Sequence, residues 1–154
     1  MSQRTLHRVR TLLCGLAFAC GPGLAGGAGT VELITGDEAQ LPPAARLISR
    51  GGITRGPSIK VVSPQPDGRV RVPFDLTVDF QAHGGSRIDP DSVKVTYLRE
   101  PLVDLTSRLQ TGISEAGIQC AGVTVPPGKH DIEIEVTDRD GRTRSETASF
   151  TVAE

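Results

Sequence analysis

Three groups of residues in this sequence carry side chains able to do chemistry. Asp138-Arg139-Asp140-Gly141 sets two carboxylates before a glycine, the oxygen-rich kind of turn that a hard cation such as calcium uses. Its spacing does not complete a calcium loop. With Gly141 at the sixth position, Thr147 stands at the twelfth, where a glutamate is needed, and Arg139 and Arg142 interrupt the acids. The same residues suit a hairpin turn, with Gly141 free to take a positive φ and an Asp side chain bonding the turn backbone. The turn is the reading adopted, and Asp138 and Asp140 as metal ligands are the alternative. The loop from Ala82 to Ser92 holds His83, Ser86 and Asp89, the components of a catalytic triad. Members crowded on one loop do not line up as nucleophile, base and orienter, and nothing resembles Gly-x-Ser-x-Gly. His83, His130 and Cys120 are the imidazoles and thiol found beyond residue 20. None lies at ligand spacing from another, whereas zinc takes three or four protein ligands. With no phosphate loop, dinucleotide fingerprint or redox CxxC, the chain is expected to have no catalytic residue, no cofactor and no enzymatic activity.

The elements that position these residues are strands. In PPGKHDIEIEVTDRDG, from Pro126 to Gly141, His130, Ile132, Ile134 and Val136 alternate with Asp131, Glu133, Glu135 and Thr137, the period of a half-buried strand. Gly128 and Gly141 mark the turns at its two ends and are assigned structural roles. His130 is in phase with the inward Ile132 and is also assigned a structural role. It is expected to hydrogen-bond the preceding chain at the bend, as a tyrosine corner does.

The flanking segments alternate in the same way. Ile59 and Val61 make one strand, Phe74, Leu76, Val78 and Phe80 a second, and Val93, Val95 and Tyr97 a third. The stretch with Val103, Leu105 and Leu109 has no settled period. Ala121, Val123 and Val125 make an inward set, and Phe150 and Val152 close the chain. Strict alternation would place Cys120 on the face opposite Ala121, whereas a free thiol favours burial. Seven short strands at roughly ten-residue intervals predict an all-β fold, a single antiparallel sandwich of the immunoglobulin-like type.

Composition limits the rest. Its 154 residues allow one core, built mainly from Val, Ile and Leu because aromatics make up only 3%. Arg4, Arg8 and Arg10 precede an apolar run from Thr11 to Cys20 and then GPGLAGGAG. This is the pattern of a signal peptide over residues 1–28, cleaved between 19 and 28, and it predicts export to the periplasm or beyond. Membrane attachment would follow only if Cys20, a poor lipobox match, were acylated. Without the leader the 17 basic residues fall to 14 against 18 acids. That balance, together with the lack of aromatic platforms beside the basic residues, argues against a nucleic-acid partner. Residues 29–57 are assigned as an N-terminal linker or arm, in which VELIT suggests a short strand and PPAARLISRGG a short helix. Arg46, Arg50, Arg55 and Lys60 make the acid-free stretch 39–66 basic, ahead of an acidic domain over 58–154.

SPQPDG, IDPDSVKVTYL, VPPGKHDIEIEVTDRDGR and the closing SFTV resemble bacterial immunoglobulin-like or fibronectin type III-like modules of exported proteins. The whole chain, with ITRGPSI and VDLTSRL, is similar to a family of proteobacterial exported proteins. The core Trp and paired cysteines of antibody domains are missing. The resemblance implies a non-enzymatic module that binds another cell-envelope or secreted protein. A carbohydrate- or metal-binding module using the turn loops is the alternative. The closing strand is a candidate sheet edge, with Arg142, Arg144 and Glu146 on it and Thr147 and Ser149 phased outward. The acidic face of Asp131, Glu133 and Glu135 is the second candidate surface.

Overall fold

The computed structural model describes residues 29–45 and 56–154. The leader, with Cys14 and Cys20, and the basic residues Arg46, Arg50 and Arg55 lie outside the described residues, as does most of the PPAARLISRGG segment. In chain order the strands are β1 (Val31–Glu32), β2 (Ser58–Ser63), β3 (Arg69–Val70), β4 (Phe74–Gln81), β5 (Lys94–Tyr97), β6 (Val103–Asp104), β7 (Ile113–Ser114), β8 (Gly117–Thr124), β9 (Gly128–Thr137) and β10 (Thr143–Val152). Among the described residues they are joined by two short α-helices, α1 (Gly36–Ala39) and α2 (Thr106–Leu109), and by 3-10 turns at Pro90–Ser92 and Gln110–Gly112. They form an all-β sandwich. One sheet runs β1-β8-β4-β2, with β7 also on β8, and the other runs β3-β10-β9-β5-β6.

Alternation puts Leu76, Val78, Ile118 and Val123 from one sheet against Val95, Tyr97, Ile132, Ile134, Val136 and Phe150 from the other, all buried. Phe74 and Phe150 meet edge to face across this core, 5.7 Å between centroids. The phase of β8 differs from strict alternation. Phe74 pairs with Val123 but Leu76 pairs with Cys120, so Ala121 and Gly122 together oppose Asp75. This is a β-bulge. Gly122 takes φ +68 and donates its N–H to Asp75 Oδ1 at 3.1 Å. Cys120 and Val123 therefore both face inward, and Ala121, expected inside, is exposed. Burial pushes the Cys120 thiol pKa up.

The unsettled stretch 103–109 has no single period because it contains two elements, β6 and then α2, which buries Leu109. Val31 and Glu32 of VELIT form β1, parallel to Val123 and Thr124 of β8. Among the described residues of this region a helical turn lies at Gly36–Ala39, where Thr35 and Glu38 form a capping box. Pro43, at the start of the segment read as a helix, instead bridges Arg99.

The segment 29–45 works as a strap from one sheet to the other. Leu33 and Ile34 are fully buried in the core. Arg108 bonds Leu33 O at 2.7 Å and grips Glu38 through both terminal nitrogens, at 2.8 and 2.7 Å. Further along, Glu100 N donates to Pro42 O and Ala44 N to Leu98 O. The Arg108 hydrogen bonds hold the Glu38 carboxyl at about 2, against an ordinary 4.5. A folded-state pKa below the unfolded one contributes stability above pH 4.5, which is lost as pH falls toward 2.

Leu33→Ala is expected to cost about 2–5 kcal/mol in urea unfolding, the range for deleting a buried leucine. Glu38→Gln should reduce the loss of stability between pH 4.5 and about 2. An unchanged midpoint for Leu33→Ala would mean that the strap is dispensable to the core.

Candidate functional site

The longest hairpin, β9–β10, carries most of the residues singled out by sequence, and the structure divides them among four places. At the turn, Asp138 is buried and its Oδ1 accepts from Asp140 N at 3.0 Å and Arg142 N at 2.9 Å. Asp138 N donates to Arg142 O and Gly141 N to Asp138 O, with Gly141 at φ +78. Asp140 pairs with the Arg142 guanidinium, whose Nε also lies 3.9 Å from Asp138 Oδ2. Asp138 Oδ1 thus holds the turn and Asp140 holds the arginine, while Asp138 Oδ2 is buried with no hydrogen-bond partner. Among the described residues no three His, Cys, Asp or Glu groups come together as a metal cluster.

The second place is the base of β9. His130 is buried, and its Nε2 lies 2.8 Å from Pro126 O. A carbonyl only accepts, so Nε2 carries the proton and Nδ1 is the acceptor. Tyr97 Oη, 2.8 Å from Nδ1, therefore donates to it and in turn accepts from Arg99 Nε at 2.9 Å. Arg99 also bonds Leu41 O of the strap and Lys129 O. The result is a directional chain from the strap through Arg99, Tyr97 and His130 to the bend at Pro126. Gly128, at φ +133, turns the backbone so that His130 can reach back. Burial pushes the His130 pKa down, the direction a neutral acceptor requires. Burial also raises the Tyr97 pKa, opposed by Arg99. Sequence reasoning singled out His130 but not Tyr97 or Arg99 as its partners. Only the β5–β9 pairing, with Tyr97 opposite Ile132, brings them to the ring.

The third place is the outer face of the second sheet. Asp131, Glu133 and Glu135 form a row on β9, opposite Ser149, Thr147 and Ser145 of β10. On the other side Glu133 and Glu135 face Thr96 and Lys94 of β5. Asp131 accepts from the Ser149 hydroxyl, which ties that end of the row to β10.

The fourth place is the edge strand itself. Ala148, Phe150 and Val152 point into the core, so Arg144 and Glu146 share the inward phase, while Thr143, Ser145, Thr147, Ser149 and Thr151 share the outer face. The facing sheet does not cover the first half of β10, and the Arg144 and Glu146 side chains stay 39% and 45% exposed, 3.9 Å apart. Covering of the edge is also partial. Asp67 N donates to Ser149 O, Thr151 N to Gly68 O and Ala153 N to Val70 O, and β3 pairs only with Thr151 and Val152. Backbone groups of one parity point the same way along a strand. Thr143, Ser145 and Thr147 therefore aim N–H and C=O at an edge that no strand among the described residues fills. This shifts the open positions from Thr147 and Ser149 to Thr143, Ser145 and Thr147.

On the loop before β5, Asp89 Oδ1 accepts from Asp91 N at 3.2 Å and Ser86 Oγ is buried without a hydrogen-bond partner. His83 Nε2 meets Ser58 Oγ at 2.7 Å, because β2 pairs Ser58 with Gln81. Among the described residues no third group bonds the ring, so the pair lacks an orienter. No helix among the described residues is long and apolar enough to cross a membrane.

The His130 chain generates a pH prediction. A folded-state pKa below the unfolded value of 6.5 means stability is complete above that pH and declines as pH falls through the folded value. His130→Phe, which cannot take up a proton, should flatten stability against pH below 6.5 and lower the melting point at pH 8. Identical slopes in the two proteins would exclude His130 as the titrating group.

No family model matches the chain, and no curated protein matches it. Among solved structures it is similar to CopC from Methylosinus trichosporium OB3b, at 17% identity and a TM-score of 0.42, over 62% of this chain and 93% of that one. It is also similar to the fibronectin(III)-like modules of Clostridium thermocellum CbhA, at 16% identity and a TM-score of 0.37, over 62% of this chain and 46% of that one. A third similarity is to the endo-beta-1,4-mannanase from Thermotoga petrophila, at 12% identity and a TM-score of 0.45, over 69% of this chain and 21% of that one. These likenesses are of fold alone.

Proposed function

We propose that this chain is an exported, non-enzymatic recognition module that binds an extended segment of another envelope or secreted protein along β10. The observation that carries the reading is the half-covered edge. Over Thr143–Thr147 the outward backbone groups of three residues form a ready template, and strand addition to such an edge supplies main-chain hydrogen bonds without needing a pocket. Pockets for side chains then select the partner, and here the selecting groups are Arg144 and Glu146 on one flank and the Thr143, Ser145 and Thr147 hydroxyls on the other. The partner's compartment follows from the leader-like sequence of residues 1–28. The acidic turn and the Ser58–His83 pair carry the alternative less far, because Asp138 Oδ1 is spent on the turn backbone, no three ligand groups come together among the described residues, and Ser58–His83 lacks a third member.

Ser145→Pro with Thr147→Pro removes two outward donors and leaves the bonds to β9 in place, since proline is tolerated on the open side of an edge strand. Affinity capture from an envelope extract should recover a partner with the parent protein and lose it with this variant, at a melting point within a few degrees of the parent. If the folded variant recovers the same partner, the edge is not the binding surface and the Asp131, Glu133, Glu135 face takes its place.

A further inference from the structure

The open stretch of β10 reads Thr143-Arg144-Ser145-Glu146-Thr147, and it is symmetric about Ser145 in a way that fits a second copy of itself. A two-fold axis through Ser145 lays the copy antiparallel along the first. Ser145 then faces Ser145, Thr143 faces Thr147, and Arg144 faces Glu146 on both sides of the axis. Each contact type recurs by symmetry, as an isologous interface requires.

The hydrogen-bond phase agrees with this register. Ser149 O and Thr151 N bond outward to Asp67 and Gly68, so residues 143, 145 and 147 present both backbone groups outward. The Ser145–Ser145 pair and the two Thr143–Thr147 pairs would fall at the hydrogen-bonded positions of the new ladder. Arg144 and Glu146 would fall at the other positions, where opposing side chains approach most closely. The two opposite-charge pairs would therefore stand where cross-strand pairing is most effective. A parallel register, or a shift by two residues, would lose that match.

The limits of the open stretch suit the same arrangement. Asp67 closes the edge at Ser149, and the residue opposite Ser149 in this register is Gly141, already in the turn. Charges on an edge ordinarily guard it against pairing. Here an incoming antiparallel copy brings the opposite charge to each of them, so the guard fails against one partner.

We propose that a second copy of this chain pairs along β10 in an antiparallel register centred on Ser145, joining two five-stranded sheets into one continuous sheet. This rests on the reading of the β10 edge as the binding surface and names the occupant that fills it. A heterologous strand then competes with the copy for the same backbone groups.

Sedimentation equilibrium of the purified protein, from micromolar to millimolar concentration, tests the pairing. The parent protein should show a monomer–dimer equilibrium. Arg144→Glu and Glu146→Arg should each weaken it by about tenfold or more, because like charges then stand opposite one another. The double reversal should restore it, and an equimolar mixture of the two single variants should form a heterodimer. A parent that stays monomeric throughout, or a dimer indifferent to these reversals, overturns the pairing. Capture of an envelope partner that remains sensitive to Ser145→Pro with Thr147→Pro would then leave edge recognition standing. If that capture is insensitive as well, both readings fall.

Discussion

A pleated sheet that does not close on itself must do something with the backbone donors and acceptors of its outermost strands. Much of what is unusual in this sandwich follows from that constraint. The outer side of β8 is taken by β7 over its first residues and by β1 near its end. At the other side of that sheet, β2 is interrupted between Val61 and Ser63, leaving Val62 outward, and carries Lys60. A bulge and a lysine are both familiar ways of blunting an edge. In the second sheet β6 is two residues long, and the strap pairs with the chain just before it at Leu98–Glu100. The beginning of β10, over Thr143–Thr147, is regular and has no strand beyond it among the described residues. Its inward-phased charges act as a filter on what can join it.

The strap shows how closing an edge and filling a core become one event. β1 contributes two residues of pairing, too little to hold by itself, but the next two residues, Leu33 and Ile34, are fully buried. Burying two such side chains is worth about 3–6 kcal/mol, which orders the polar residues that follow. Arg108 and Arg99 then fasten the segment at two points, through Glu38 and through Leu41 O. Because Arg99 also donates to Tyr97, the buried His130 chain and the strap share an anchor. Loss of either should loosen the bend that starts β9.

What was legible in the sequence were the long, two-faced strands. β9 alternates without interruption over His130–Val136, and β4 over Phe74–Phe80, and both lie as their periodicity implies. Two-residue strands such as β3 and β7 have no period to read, and the bulge in β8 inverts the phase of Ala121. Gly122 was the available signal for that bulge, since a glycine inside a strand marks such irregularities. Side-chain partners set by sheet order were out of reach. Tyr97 meets His130 because β5 lies beside β9, and Ser58 meets His83 because of the β2–β4 register. The symmetric pentapeptide of β10 is visible in the sequence. That its outward backbone is open for those five residues and closed from Ser149 onward depends on where β3 happens to dock.

The account stands on the state of that edge, which amide hydrogen exchange reads directly. In dilute solution the Thr143, Ser145 and Thr147 amides should exchange far faster than those of Arg144, Glu146 and Ala148, which bond to β9. Raising the protein concentration should slow the first set and leave the second unchanged. Equal protection of both sets in dilute solution would mean that the edge is already closed, and would contradict the account.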